Sequence, residues 1–117
     1  MLDMKDLTPE EDLALMGLLK AVIQADKHMS FEERRELSAV AAGLGGQRFH
    51  ERVEEAKRVF HTLSDIKTYA KKIERQPARQ LIFNLVRDMA KRDEVISEEE
   101  DLLAWLAETW DVEYFRK

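Results

Sequence analysis

The chain has 117 residues, enough for one domain around one core, and with 44% hydrophobic and 37% charged residues it is too apolar to be disordered. It has no cysteine, which excludes disulfides, thiolate nucleophiles and sulfur-based zinc or iron–sulfur centres, and its 4 Gly and 2 Pro are too few for the closely spaced turns of an all-β fold. The net charge of −5 is unevenly distributed, at −4 over residues 1–47, +6 over 48–92 and −7 over 93–117, so either the acidic ends neutralise the basic middle or that middle forms a surface for an anionic partner.

Thr8-Pro9-Glu10-Glu11 predicts the start of a first helix, with Thr8 as cap, Pro9 in the first turn and Glu11 reaching back to the cap N–H. Its apolar face is Leu15, Leu18, Leu19, Val22 and Ile23, and it should end near Ala25 or Asp26. Ser30-Phe31-Glu32-Glu33 opens a second helix with Leu37, Val40, Ala41 and Leu44 on one face, stopped by Gly43, Gly45 and Gly46. A third carries the most regular stripe in the chain, Phe49, Val53, Ala56, Phe60 and Leu63. Ser64-Asp65 reads as the cap of a short fourth helix with Ile66, Tyr69, Ala70 and Ile73 inward. Pro77 opens a fifth, burying Leu81, Ile82, Leu85, Val86 and Met89, and Ser97 caps a sixth, burying Leu102, Leu103, Leu106 and Trp110. Val112 to Phe115 adds a closing turn. The expected fold is an all-α, single-domain bundle of six to seven helices over residues 1–117.

Placing Asp26 over Asp93 brings Leu18-Leu19 onto Leu85-Val86, Val22 onto Met89, Met29 onto Ile96, Ser30 onto Ser97 and Glu32-Glu33 onto Glu99-Glu100. The shared pattern, an apolar helix followed by Asp-x-x-apolar-Ser-x-Glu-Glu and a second amphipathic helix, points to an internal duplication. The repeat units cover about residues 10–45 and 77–111, linked by helices within 47–74.

The segment from Ala25 to Glu33 and its echo from Arg92 to Glu100 resemble the TerB-like domains of tellurite-resistance proteins and the related domain of the DjlA co-chaperone. The resemblance covers roughly residues 10–115, with Lys27 and Glu94 where that family has glycine. It implies an all-helical domain with pseudo-symmetric helix-loop-helix repeats, acting as a stress-associated interaction module or divalent-metal binder, and by position its acidic residues are Asp26, Glu33, Asp93 and Glu100.

The residues supply their own argument for that site. Asp26 and Asp93 each stand at the C-terminal end of a predicted helix, where the helix dipole disfavours a carboxylate by about 0.3–1 kcal/mol. Either the free N–H groups opening the next helix compensate, or a bound cation does. With no cysteine and no histidine cluster, oxygen ligation favours Ca²⁺, Mg²⁺ or Mn²⁺, and His28 is a candidate additional ligand. An EF-hand does not fit, because the twelfth position of each stretch is Leu37 or Ala104 where a bidentate Glu is needed.

Catalysis finds little to work with. His50 and His61 share a helix face but stand about 16 Å apart. Ser30 and Ser97 have no neighbouring base, and no glycine-rich phosphate loop is present. The chain is expected not to be an enzyme, a small metal-dependent hydrolase being the least favoured reading. Partner contact is expected at Trp105, set obliquely to the inward face of the sixth helix, and at Arg48 and Arg52, one turn apart. The basic middle lacks free aromatics for stacking, which argues against sequence-specific nucleic-acid binding and leaves a protein partner or peripheral association with an anionic membrane surface. The N-terminal residues lack the pattern of a secretory signal and no run matches a transmembrane segment, so a cytoplasmic location is expected. The rival to a cation-holding module is a structural helical adaptor that docks a protein partner without metal.

Overall fold

The computed structural model describes residues 2–25, 31–91 and 97–114. Among these residues the chain forms six α-helices: α1 (Pro9–Ala25), α2 (Phe31–Leu44), α3 (Gly46–Val59), α4 (Leu63–Ala70), α5 (Gln76–Lys91) and α6 (Ser97–Trp110), preceded by a 3-10 turn at Met4–Asp6. The predicted all-α bundle is the observed one.

The start of α1 follows the sequence. The Glu11 N–H donates to Thr8 Oγ1 at 3.2 Å, and the Thr8 N–H donates to Glu11 Oε1 at 2.8 Å. The expected one-sided apolar face does not hold. Every residue from Glu11 to Leu19 is buried, because α3, α4, α5 and α6 all pack against α1. Leu13, Ala14, Met16 and Gly17 therefore join the core that periodicity gave to Leu15, Leu18, Leu19 and Val22, while Ile23 is only half-buried. A helix apolar around its whole circumference is the axis of a fold, not its surface.

α2 runs through Gly43, over which the Met4 side chain lies. The break comes at Gly45 alone, which takes φ +94, donates its N–H to the Ala41 carbonyl and accepts from the Phe49 N–H, so α3 begins at once on Gly46. Along α3 the predicted stripe divides. Ala56 is buried, Phe49 and Val53 are half-buried, and the helix ends at Val59, so Phe60 enters the core from extended backbone. Leu63 is 48% exposed and opens α4. The cap of α4 is Thr62, not Ser64: Asp65 N–H donates to Thr62 Oγ1 at 3.1 Å and Thr62 N–H to Asp65 Oδ2 at 3.1 Å. The same box occurs two residues earlier than expected, with Asp in the third position where Glu is more familiar.

Phe60 lies across Gly17 of α1 and meets Tyr69 edge to face at 5.5 Å. A β-carbon on Gly17 would come within 2.7 Å of the Phe60 ring, whose position is fixed by burial on all sides. Gly17→Ala is therefore expected to destabilise by about 1–3 kcal/mol through overpacking, despite alanine's helix preference of about 1 kcal/mol. Urea denaturation of the variant checks this, and a stabilised variant would show that the ring yields.

α5 begins one residue before Pro77 and buries Ile82, Val86 and Met89 as expected, with Leu81 and Leu85 half-buried. Ala78, Phe83 and Ala90 are also buried, since α1, α2 and α6 surround this helix. α6 starts on Ser97 itself and buries Leu102, Leu103, Leu106 and Trp110. Its closing turn is tighter than expected: Asp111 takes φ 55 and the Val112 N–H reaches back to the Ala107 carbonyl at 3.0 Å, the six-to-one bond of a Schellman-type end. Gln76 seals it, donating from Nε2 to the carbonyls of Trp110 and Asp111. Tyr114 packs edge-on against Phe83 at 5.8 Å, and Phe115 lies outside the described residues.

Candidate functional site

Of the four predicted acidic ligands, Asp26 and Asp93 lie outside the described residues, and so does the side chain of Glu33, whose backbone belongs to α2. Glu100 is described and half-buried on α6. The buried carboxylate of that turn is its neighbour Glu99, at 2% exposure. Glu99 lies three, four and seven residues before Leu102, Leu103 and Leu106, on the inward stripe, whereas Glu100 is rotated off it.

The helix ends next to the two acidic stretches do approach each other. Gln24, near the end of α1, and Glu98, in the first turn of α6, line one cleft of about 270 Å³ together with Lys20, His61, Leu63 and Ile66. The cleft joins an apolar floor to an ammonium, an imidazole and a carboxylate. Among the described residues no three histidine or carboxylate side chains gather closely enough to hold a metal ion.

The strongest electrostatic feature lies elsewhere, at the N-terminal end of α1. Two consecutive carboxylates there are buried, Glu11 at 4% and Asp12 at 1% exposure. Each takes an arginine from the basic middle of the chain. Arg75 Nε donates to Glu11 Oε2 at 2.8 Å and its Nη2 to Oε1 at 2.5 Å. Arg48 Nε donates to Asp12 Oδ2 at 2.6 Å and its Nη2 to Oδ1 at 2.9 Å. Both guanidinium forks engage both oxygens, the geometry that makes such pairs directional. The same two arginines hold the chain before α1 by its carbonyls: Arg48 donates to those of Lys5 and Leu7, and Arg75 to that of Asp6.

The paired carboxylates are pushed in opposite directions. The Arg75 guanidinium beside Glu11, helped by the Thr8 N–H, holds that carboxyl below its ordinary 4.5 against the pull of burial. For Asp12 burial prevails and raises the carboxyl above its ordinary 3.8, with Arg48 pulling it down. The depressed Glu11 thus contributes stability that is present above about pH 4.5 and lost as pH falls through its folded value, while the charge on Asp12 weighs against folding until it is protonated.

These contacts locate the residues expected to meet a partner. Arg48 is turned inward, its fork on Asp12. Arg52 pairs with Glu55 and Glu51 on its own helix, and its buried Nε has no hydrogen-bond partner among the described residues. Trp105 is half-buried against the core edge with the Lys67 ammonium 5.0 Å from its ring centroid. His50 and His61 are both exposed. The N-terminal acids and the basic middle therefore neutralise each other in part within the fold, through pairs that join residues 36 and 64 apart.

No family model, curated protein or solved structure matches this chain. No helix among the described residues is long and apolar enough to cross a membrane.

Proposed function

We propose that this chain is a non-enzymatic, TerB-like, stress-associated interaction module that holds a divalent cation through its duplicated acidic stretches. The observation that carries the reading is the twin Asp-x-x-apolar-Ser-x-Glu-Glu pattern, whose first copy follows α1 and ends in the first turn of α2 and whose second follows α5 and ends in the first turn of α6. Support comes from the cleft between α1 and α6, which Gln24 and Glu98 both line. Asp26, Glu33, Asp93 and Glu100 are the ligands, and an oxygen-only set suits Ca²⁺, Mg²⁺ or Mn²⁺.

Thermal melting of chelator-treated protein tests the reading. A cation at about a hundred times its dissociation constant adds about 2.7 kcal/mol to stability, which raises the melting temperature of a domain this size by about 10 °C. The combined change Asp26→Asn and Asp93→Asn is expected to abolish the rise. A melting curve unchanged across millimolar Ca²⁺, Mg²⁺ and Mn²⁺ would overturn cation binding and support the second reading, a metal-free helical adaptor for a protein partner.

A further inference from the structure

Four apolar side chains from three helices share one incomplete burial. Ile23 of α1, Leu37 of α2, and Phe49 and Val53 of α3 are each half-buried and line a single groove of about 330 Å³, floored by the buried Met16, Leu19 and Ala56. The most regular apolar stripe of the chain thus continues past the core onto a surface. Scattered exposure of single apolar residues is ordinary, but a convergent set around one groove marks a binding surface.

The geometry suits a helix. Along α1 the wall runs Met16, Leu19, Ile23, and along α3 it runs Phe49, Val53, Ala56, each about 10 Å long. That is the length of two helical turns, and a guest helix presenting apolar residues at i, i+3 or i+4, and i+7 would place one anchor per turn between the walls. Among the described residues Lys20 and Lys57 are the charged ones lining this groove, both cationic. Lys57 is well exposed and only loosely paired with Glu54 at 3.4 Å, and Lys20 reaches the Phe60 carbonyl at 3.4 Å. A second copy docked groove to groove would set lysine against lysine, since a two-fold contact brings like patches together. From these observations we infer that the groove between α1, α2 and α3 docks an amphipathic helix of a partner protein, its apolar face flanked by acidic residues. The inference rests on the interaction-module reading but not on the cation.

A fluorescently labelled 18-residue helical peptide, with leucines at i, i+4 and i+7 and flanking glutamates, tests it by anisotropy alongside the same peptide carrying flanking lysines. The acidic peptide is expected to bind at least about tenfold more tightly. Lys20→Glu with Lys57→Glu should reverse that order, and Lys57→Glu alone, at an exposed position that leaves folding intact, should shift it part of the way. Equal binding of both peptides, binding of neither, or an order unmoved by the substitutions would overturn the proposal, as would concentration-dependent dimerisation that blocks the groove. A melting temperature raised by Ca²⁺ with no peptide binding defeats the groove and leaves the cation; peptide binding with no cation response does the reverse.

Discussion

Arg48→Met lowers the stability of the fold by about 3 kcal/mol at pH 7, because it leaves the charge of Asp12 buried and unpaired. The figure sits at the low end for such a loss because the Arg48 side chain is 30% exposed, so some water reaches the pair. The fork also ties the Lys5 and Leu7 carbonyls, and the chain before α1 loosens with it. The deficit should shrink as the solution is acidified. Burial already raises the Asp12 carboxyl, and without Arg48 it rises further, so acidification from pH 7 protonates the residue in a window above the ordinary carboxylate range and the penalty of its charge is relieved. Glu11, held low by Arg75, keeps its contribution through that window and loses it only further down. Urea denaturation of wild type and variant at pH 7 and pH 5 measures the effect. A deficit of equal size at both would mean that Asp12 is not the group left exposed by the substitution.

Trp110→Ala is expected to destabilise by about 3–5 kcal/mol, as the removal of a fully buried large side chain does. Two contributions can be separated. The indole N–H donates to the Ala70 carbonyl at 2.9 Å and so ties the end of α4 to the end of α6. Trp110→Phe keeps a ring in place and removes only that bond, since the Ala70 carbonyl still accepts from the Ile73 N–H at 3.2 Å, for about 0.5–1.5 kcal/mol. It also leaves Trp105 as the single tryptophan, whose half-buried ring under Lys67 should emit at longer wavelength than the wild-type mixture. Denaturation monitored by circular dichroism gives the two energies. A loss under 1 kcal/mol for the alanine variant would contradict the central place of Trp110 in the core.

What could be read from the sequence follows the range of the interactions involved. The Thr8–Glu11 box and the inward positions of Ile82, Val86, Leu103 and Leu106 depend on residues three or four apart, and those the pattern specifies. The sequence points to Ser64 as readily as to Thr62 for the α4 cap because both sites offer a hydroxyl ahead of an acid, and only backbone geometry separates them. The leucine spacing of α1 is that of a one-sided stripe, while burial of Ala14 and Gly17 depends on how many helices surround it. The pairs Asp12–Arg48 and Glu11–Arg75 join residues 36 and 64 apart. Only the alternation of acidic and basic segments foreshadowed them, as partial neutralisation without named partners. The burial of Phe83 and Glu99 is illegible for a related reason: each lies beside a residue with a stronger pattern, Ile82 and Glu100, and only tertiary packing decides which is covered. Of the four candidate acidic ligands, Glu100 alone has a described side chain, and the cleft between α1 and α6 is lined by Gln24 and Glu98 instead.

The arginine clamp in front of α1 has a bearing on how such a chain can diverge. Arg48 and Arg75 grip residues 5–7 by main-chain oxygens, which every amino acid carries, so Lys5 is free to drift, while Asp6 is kept by the bond its carboxylate accepts from the Asp3 N–H and Leu7 by burial. Asp12 and Arg48 have no such latitude, for neither tolerates loss of the other. Distant relatives of this architecture would be recognised less by any contiguous motif than by that linked pair and its neighbour Glu11–Arg75, changing together or not at all.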